Sequence, residues 1–326
     1  MQTPGCKRSE FVGYNCIVCA KQVPDTKRIT GQAMRDDGTV NRAALPAIFN
    51  PEDLNALEAA LAIRDAHGGT VTLITMGLPA AAEILREGLY RGVDRVILIT
   101  DRRAAASDTL ATSYILSCAI KKLPHDIVLC GRQAIDGDTA QVGPQLAEKL
   151  GMPQITYMEQ LVSLEDRTMR VRRHIGNGFE VVECKLPVLV TVMDTAGEPR
   201  PAAAKKLMKY KKARAPGELP GNIVEERGWC FPGTPNATLP EADMKVVEAE
   251  AAGRAAALEA KGLLITQWGL DDIAADLQWC GRSGSPTKVH RIQSVVLTAS
   301  GYKQVAPTDE GIRGLVAELI EDHTLG

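Results

Sequence analysis

The sequence predicts an α/β fold with a doubly wound, mainly parallel sheet, and three observations carry that prediction. Short apolar runs alternate with helix-like patterns from Cys16 to Met193, the order imposed when parallel strands are linked by crossover helices. One of those runs leads into a glycine-rich turn, Gly131-Arg-Gln-Ala-Ile-Asp-Gly-Asp-Thr-Ala-Gln-Val-Gly-Pro144, which opens a helix. With 45% hydrophobic residues in 326, the chain can also bury the core that such a sheet needs.

Residues 1–14 contain Lys7 and Arg8 without an apolar block behind them, so they read as a flexible extension rather than a secretion signal. The first strand is Cys16 to Lys21. A helix follows over 51–66: Asn50 can cap it, Pro51 suits its first turn and Asp53 its positive end, while Leu54, Leu57 and Leu61 share one face. Further strands are read at Thr70 to Met76, Arg95 to Thr100, Asp126 to Cys130 and Pro187 to Met193, with helices near 80–91, 107–122 and 140–150. Residues 161–184 alternate polar and apolar about a turn, which predicts a β-ribbon laid against the main sheet. His174 within it reads as a solvated strand residue without a role.

Beyond Met193 the texture changes. Lys205 to Arg214 holds six basic residues and no acidic one, either a solvated helix face or a docking surface. Residues 216–262 begin rich in Pro and Gly and become rich in Ala and Glu from Met244 to Lys261, good helix composition. Trp229, Cys230 and Phe231 suit a small satellite core there. Residues 263–326 form a carboxyl-terminal extension ending in an amphipathic helix, capped by Thr308, whose Ile312, Leu315, Val316, Leu319 and Ile320 make one stripe.

Composition excludes several function classes. A net charge of −2 gives nucleic acid or a membrane surface no electrostatic reason to bind. No apolar run approaches the roughly 18 residues of a membrane span. Eight scattered cysteines suit reduced thiols and a cytoplasmic location rather than a disulfide framework. Cys16 and Cys19 make a C-x-x-C, but on a strand their side chains point to opposite faces and no second pair completes a metal site. There is no Ser-His-Asp order and no H-E-x-x-H. No catalytic side chain is assigned, and chemistry carried by a bound cofactor is the natural alternative.

The glycine-rich run is where such a cofactor fits. A strand-to-helix crossing in a parallel sheet offers backbone N–H groups to a phosphate, and Thr139 and Gln141 add side-chain donors. The run is neither a P-loop nor a dinucleotide fingerprint. Asp136 and Asp138 are awkward beside a phosphate, so at least one is expected to cap the helix or bond a ribose hydroxyl. A plain Gly/Asp turn before an ordinary helix accounts for the same residues. Thr109 and Thr112, at another such crossing, either reach a ligand or serve as cap and helix surface.

GRQAIDGDTAQVGPQ resembles the nucleotide-binding loop of the β subunit of electron-transfer flavoproteins. Three further segments agree in order: CIVCAKQVPDT, FNPEDLNALEAAL and VTVMDTAGEPRPAA. The likeness covers residues 15–215 and resumes at GRSGSPTKV. It implies a Rossmann-like, adenine-nucleotide-binding domain over 15–215, an insertion of unknown role over 216–262, and a heterodimer whose α subunit is held by residues 263–326. It also implies a cofactor on this chain, FAD or alternatively AMP. Loops of the DGDTAQVGP kind resemble those that bind flavin in electron-bifurcating members, where NADH donates and the pair divides between ferredoxin and a dehydrogenase partner, acyl-CoA dehydrogenase-like or another flavin enzyme. Carried over by position, Cys19 and Met76 line the adenine pocket, and Asn50, Pro51 and Asp53 approach the adenosine. Gly131, Asp136, Gly137, Asp138, Thr139, Ala140, Gln141, Val142 and Gly143 wrap the phosphates. GEPRPAAA falls where the family docks its dehydrogenase, with Ala204 in place of the usual leucine anchor. A simple AMP-binding shuttle, or a flavin-free nucleotide sensor or ATPase relative, fits the same fold.

Overall fold

The computed structural model describes residues 13–25, 45–229, 240–287 and 304–321. Compact units run through Lys288 and from Val289 onward. In the first, five parallel strands make the centre of a sheet: β1 (Tyr14–Cys19), β4 (Gly69–Met76), β5 (Arg95–Ile99), β6 (Ile127–Gly131) and β10 (Val188–Val192). Their order is β5-β4-β1-β6-β10. The chain winds outward from β1 through β4 to β5, then returns to the other side of β1 with β6. The winding reverses between β1 and β6, and ligands of open α/β sheets bind at the carboxyl ends of strands at such a point.

These strands match the apolar runs because both faces are covered, which removes any need for alternation. On one face α1 (Pro51–His67) and α2 (Ala82–Arg91) bury Leu57, Leu61, Leu85 and Leu89 against Val18, Leu73 and Leu129. On the other, α3 (Thr109–Ile120) and α4 (Val142–Leu150) bury Ile115 and Leu146 against Ile17, Ile74 and Val128. Cys16 belongs to the first layer and Cys19 to the second, so the two thiols of the C-x-x-C lie on opposite faces. Burial pushes the Cys16 thiol up to about 12 and the Cys19 thiol higher still, leaving both in the unreactive protonated form.

Some expectations need correction. Tyr14, read as part of a flexible extension, is buried and opens β1; residues 1–12 lie outside the described residues. The ribbon at 161–184 is a three-stranded antiparallel meander, β7 (Gln154–Glu165), β8 (Thr168–His174) and β9 (Phe179–Lys185). It extends the sheet instead of lying against it, because β7 pairs in parallel with β10. Three-residue strands escaped notice altogether: β2 (Gln22–Pro24) pairs with β3 (Ala47–Phe49), and β11 (Thr266–Trp268) joins the edge beside β5.

The basic run forms α5 (Ala204–Tyr210), with all its lysine side chains exposed. After it, α6 (Leu219–Glu226) and α7 (Glu241–Glu259) enclose a satellite core of Leu219, Ile223, Val247 and Ala251, joined by Trp229; Cys230 and Phe231 lie outside the described residues. A short turn of helix, α8 (Gly281–Gly284), closes the described part of this unit. In the second unit α9 (Asp309–Glu321) starts at Thr308, whose hydroxyl accepts from the Gly311 amide at 3.2 Å. Among the described residues of that unit, nothing covers Ile312, Val316 or Ile320. No helix among the described residues is long and apolar enough to cross a membrane.

Candidate functional site

At the switch point the first turn of α1 is bonded to the segments that leave β1 and β6. Asp53 Oδ2 accepts from the Lys21 amide at 2.9 Å and Oδ1 from the Gly131 amide at 2.8 Å, tying the ends of neighbouring strands to one buried carboxylate. Glu52 accepts from the Gln133 amide at 2.8 Å and pairs with the Arg132 guanidinium at 2.7 Å. Asn50 donates to the Gln133 carbonyl at 2.9 Å and accepts from the Ile135 amide at 3.2 Å. Asn50 therefore occupies the cap position but does not cap: its side chain is spent on the loop. Pro51 stands in the first turn, where its missing N–H costs nothing.

Burial raises the Asp53 carboxyl to about 7, against the opposing pull of its two backbone donors and Asn50. Its proton uptake thus falls in the physiological range. Desolvation dominates because the side chain lies within the core, and the neighbouring charge of Glu52 adds to it.

The glycine-rich run divides into a fixed and an open half. A Cβ on Gly131 would come within 2.6 Å of Asp53 Oδ1 and 2.8 Å of Glu52, and one on Gly143 within 2.7 Å of Thr191 Cγ2. Both positions are glycine so that α1 and α4 can approach the sheet, and the Gly131 amide is already engaged by Asp53. Gly137 differs: a Cβ there meets nothing within 4 Å. Positive φ falls on Asp138 (48°) and Ala140 (51°), not on Gly137, so the loop holds two non-glycine residues in the left-handed region that is ordinarily costly. Strain of this kind accompanies loops whose shape is preset by their surroundings.

Neither aspartate caps α4, which corrects the capping half of that expectation. Asp136 pairs with Lys21 at 2.7 Å and Asp138 accepts from Gln133 Nε2 at 3.0 Å, while Gln141 takes the cap position without a side-chain cap. Gly137, Asp138, Thr139 and Gln141 are exposed, and Ala140 and Val142 half-exposed. The first amides of α4 have no carbonyl within the helix to bond and face outward with the positive end of its dipole.

A second helix start meets the first. Thr109 Oγ1, in the first turn of α3, donates to Gln141 Oε1 at 2.8 Å and lies 3.4 Å from Gln145 Nε2. Among the described residues Gln145 Oε1 is buried with no partner, an orphaned acceptor that calls for an explanation. Thr112 stands one turn further into α3, half-buried. Asp108 caps α3 by accepting from the Ala111 amide at 2.9 Å, and its other oxygen holds Thr287 at 2.6 Å.

Cys19 and Met76 sit at the carboxyl ends of β1 and β4 on the α3–α4 face. Cys19 is 6% exposed and in register with Cys130 on β6, so it can contribute a wall but no reactive thiol. At the switch point Asn50, Asp53, Gly131 and Gly143 form a frame, and Asp136 to Val142 a more accessible surface beside it. Lys21, Glu52, Gln133 and Gln145 were missed. Glu52 carried a local signal, a second acid in the first turn of α1; Lys21 and Gln145 bond only across long sequence separations, and Gln133 joins Glu52 and Asn50 across the fold as well as Asp138 nearby.

The crevice is neutral to mildly polar at its rim, since Lys21 is matched by Asp136 and Arg132 by Glu52. It offers amides and hydroxyls to a ligand rather than a cluster of free cations. Among the described residues no group of His, Cys, Asp and Glu is arranged to hold a metal.

Residues 37–216 match the electron transfer flavoprotein domain. The chain is 37% identical to the electron transfer flavoprotein subunit beta of Clostridium acetobutylicum over 309 residues, covering 95% of this chain and 99% of that one. It is 37% identical over 312 residues to the caffeyl-CoA reductase–Etf complex subunit CarD of Acetobacterium woodii, with the same coverage. Over 187 residues it is 48% identical to the acryloyl-CoA reductase electron transfer subunit gamma of Anaerotignum propionicum, covering 56% of this chain and 69% of that one.

Proposed function

The chain belongs to the electron-transfer flavoprotein family as a β subunit, and from that premise we propose that it holds FAD in the crevice between β1 and β6. The observation that carries this reading is the pairing of two helix starts, α3 and α4, through Thr109 and Gln141, around a loop whose Gly137 faces open space. Two adjacent helix N-termini suit a diphosphate. The amides from Thr139 to Val142 and the Thr139 hydroxyl would meet the phosphates, those of Gly137 and Asp138 being given to the Ala134 carbonyl; Cys19 and Met76 would wall the adenine, and Gln145 would accept from a sugar hydroxyl. Asn50, Pro51, Asp53, Gly131 and Gly143 hold that surface in place. Flavin bound there would supply one- and two-electron redox chemistry.

NADH is the proposed donor, with division of its electrons between ferredoxin and a flavin dehydrogenase. Support comes from the relative named for a caffeyl-CoA reductase–Etf complex, which aligns along nearly the whole of this chain. Anaerobic mixing of the heterodimer with NADH, ferredoxin and an acyl-CoA dehydrogenase tests it. Ferredoxin reduction that requires the dehydrogenase and the enoyl-CoA it reduces supports bifurcation. Direct reduction of the dehydrogenase by NADH, with ferredoxin left oxidised, assigns a simple shuttle.

The uncovered stripe of α9 is the proposed seat of the α subunit. Changing Ile312, Val316 and Ile320 to Ser should weaken association by at least tenfold, since each removes apolar area that the contact would bury, only part of which appears as affinity. Titration of labelled α subunit reads it, and undiminished affinity would move the seat elsewhere. For the dehydrogenase, α5 presents Leu207 and Met208 among exposed lysines, a surface suited to an acidic partner with an apolar spot. Changing Lys209, Lys211 and Lys212 to Gln should leave the Tm nearly unchanged and slow dehydrogenase reduction more at low salt than at high. Equal slowing at both would show that the lysines do not steer encounter.

A further inference from the structure

The segment between β10 and α5 is held from several directions by side chains of one helix. Asn55 donates to the carbonyls of Asp194 at 3.2 Å and Gly197 at 2.6 Å. Glu58 accepts from the Arg200 amide at 2.9 Å and from its Nε and Nη2 at 2.8 Å, while Asp65 accepts from Nη1 at 2.8 Å. From α2, Arg91 donates to the Arg200 carbonyl, and the Tyr90 carbonyl accepts from the Ala203 amide at 2.9 Å. Asn55, Glu58 and Asp65 all lie on α1, whose first turn holds the cofactor loop through Asn50, Glu52 and Asp53.

Resting on the docking surface described above, we propose that α1 is a strut shared by two sites, and that Arg200 is the positioning residue that fixes residues 194–203 for a partner protein. A loop this exposed would ordinarily sample many postures, and ordering it at encounter would cost affinity. Here the guanidinium fork is matched to Glu58 and Asp65, so the posture is set before the partner arrives. The same helix then fixes the relation between the cofactor loop and the surface where a dehydrogenase meets the chain.

The test uses the dithionite-reduced heterodimer and whichever purified acyl-CoA dehydrogenase the unaltered protein reduces, with a ferricenium dye as an acceptor that needs no docking. Arg200→Met should raise KM for the dehydrogenase about tenfold, leave dye reduction and flavin content unchanged, and speed tryptic cleavage between Lys205 and Lys212. Arg200→Lys, which keeps the charge but not the fork, should recover part of the loss. Faster cleavage with an unchanged KM would make Arg200 a staple and overturn the proposal, as would equal losses with dye and dehydrogenase. Met208→Asp separates the proposal from the reading beneath it. If that variant leaves KM untouched, the docking surface is misplaced and the proposal falls with it; if it raises KM while Arg200→Met does not, docking stands and the strut is overturned.

Discussion

Replacing Gly137 with Asp is expected to empty the β-chain flavin site while leaving the fold intact. The backbone at Gly137 has no positive φ and a Cβ there meets nothing within 4 Å, so the new side chain enters free space and strains nothing. That space is where a diphosphate would lie, and a carboxylate beside it adds repulsion and bulk to a rim whose cation, Lys21, is already matched by Asp136. The loss should be at least a hundredfold in flavin affinity, since an unmatched charge at a desolvated contact costs several kcal/mol. Flavin held on the α subunit should remain and still exchange electrons with the dehydrogenase, while NADH oxidation stops. A variant that retains NADH oxidation would remove the loop from the site. Gly131→Ala makes an informative contrast: its Cβ would strike Glu52 and Asp53, so it should lower stability by about 1–3 kcal/mol rather than affect binding alone.

The second large effect is expected from Asp53→Asn. The carboxylate accepts two backbone amides at once; an asparagine can accept one and must aim its own N–H groups at the other. An unsatisfied buried amide costs about 1–3 kcal/mol, and the ends of β1 and β6 lose the group that ties them. Flavin binding should fall together with Tm, because the loop from Gly131 onward starts from that tie. The effect also depends on pH, in a direction set by the raised pKa. Asp53 ionises near 3.8 when unfolded and at about 7 when folded, so the folded chain holds the proton more tightly between those values. Stability contributed by the protonated group is fully present below the unfolded value and is lost as pH rises through 7. The substituted amide does not titrate. The Tm advantage of the native heterodimer over the variant should therefore shrink between pH 5.5 and 8. An advantage that stays constant across that range would mean that Asp53 is ionised throughout and that burial does not govern it.

The central strands were legible because each is buried on both faces and had to be a continuous apolar run. The loop was legible because a strand, a glycine-rich turn and a helix start are adjacent in sequence. Other features are written across the fold. By resemblance Gly131 and Gly143 wrap the phosphates, yet each is glycine because a neighbouring helix or strand occupies the place of a Cβ. The tie from Asp136 to Lys21 spans 115 positions, beyond any local pattern. Asn50 looked like a cap because it precedes a proline-led helix, and only the loop passing over it diverts the side chain. In the meander, Tyr157 adopts φ of 59° and the register shifts between Met158 and Gln160, so the two-residue alternation breaks and the start of β7 was hidden. The edge strand β11 pairs over only Thr266 to Trp268, too short for periodicity to register.

Identification of the nucleotides released from the unaltered heterodimer tests the central claim most directly. The complex is isolated by gel filtration, denatured with acid, and its released FAD and AMP are counted by chromatography against protein concentration. Two FAD and no AMP per heterodimer is the result expected if the crevice between β1 and β6 holds flavin. One FAD with one AMP would contradict it and make this chain the AMP-binding subunit of a simple electron shuttle.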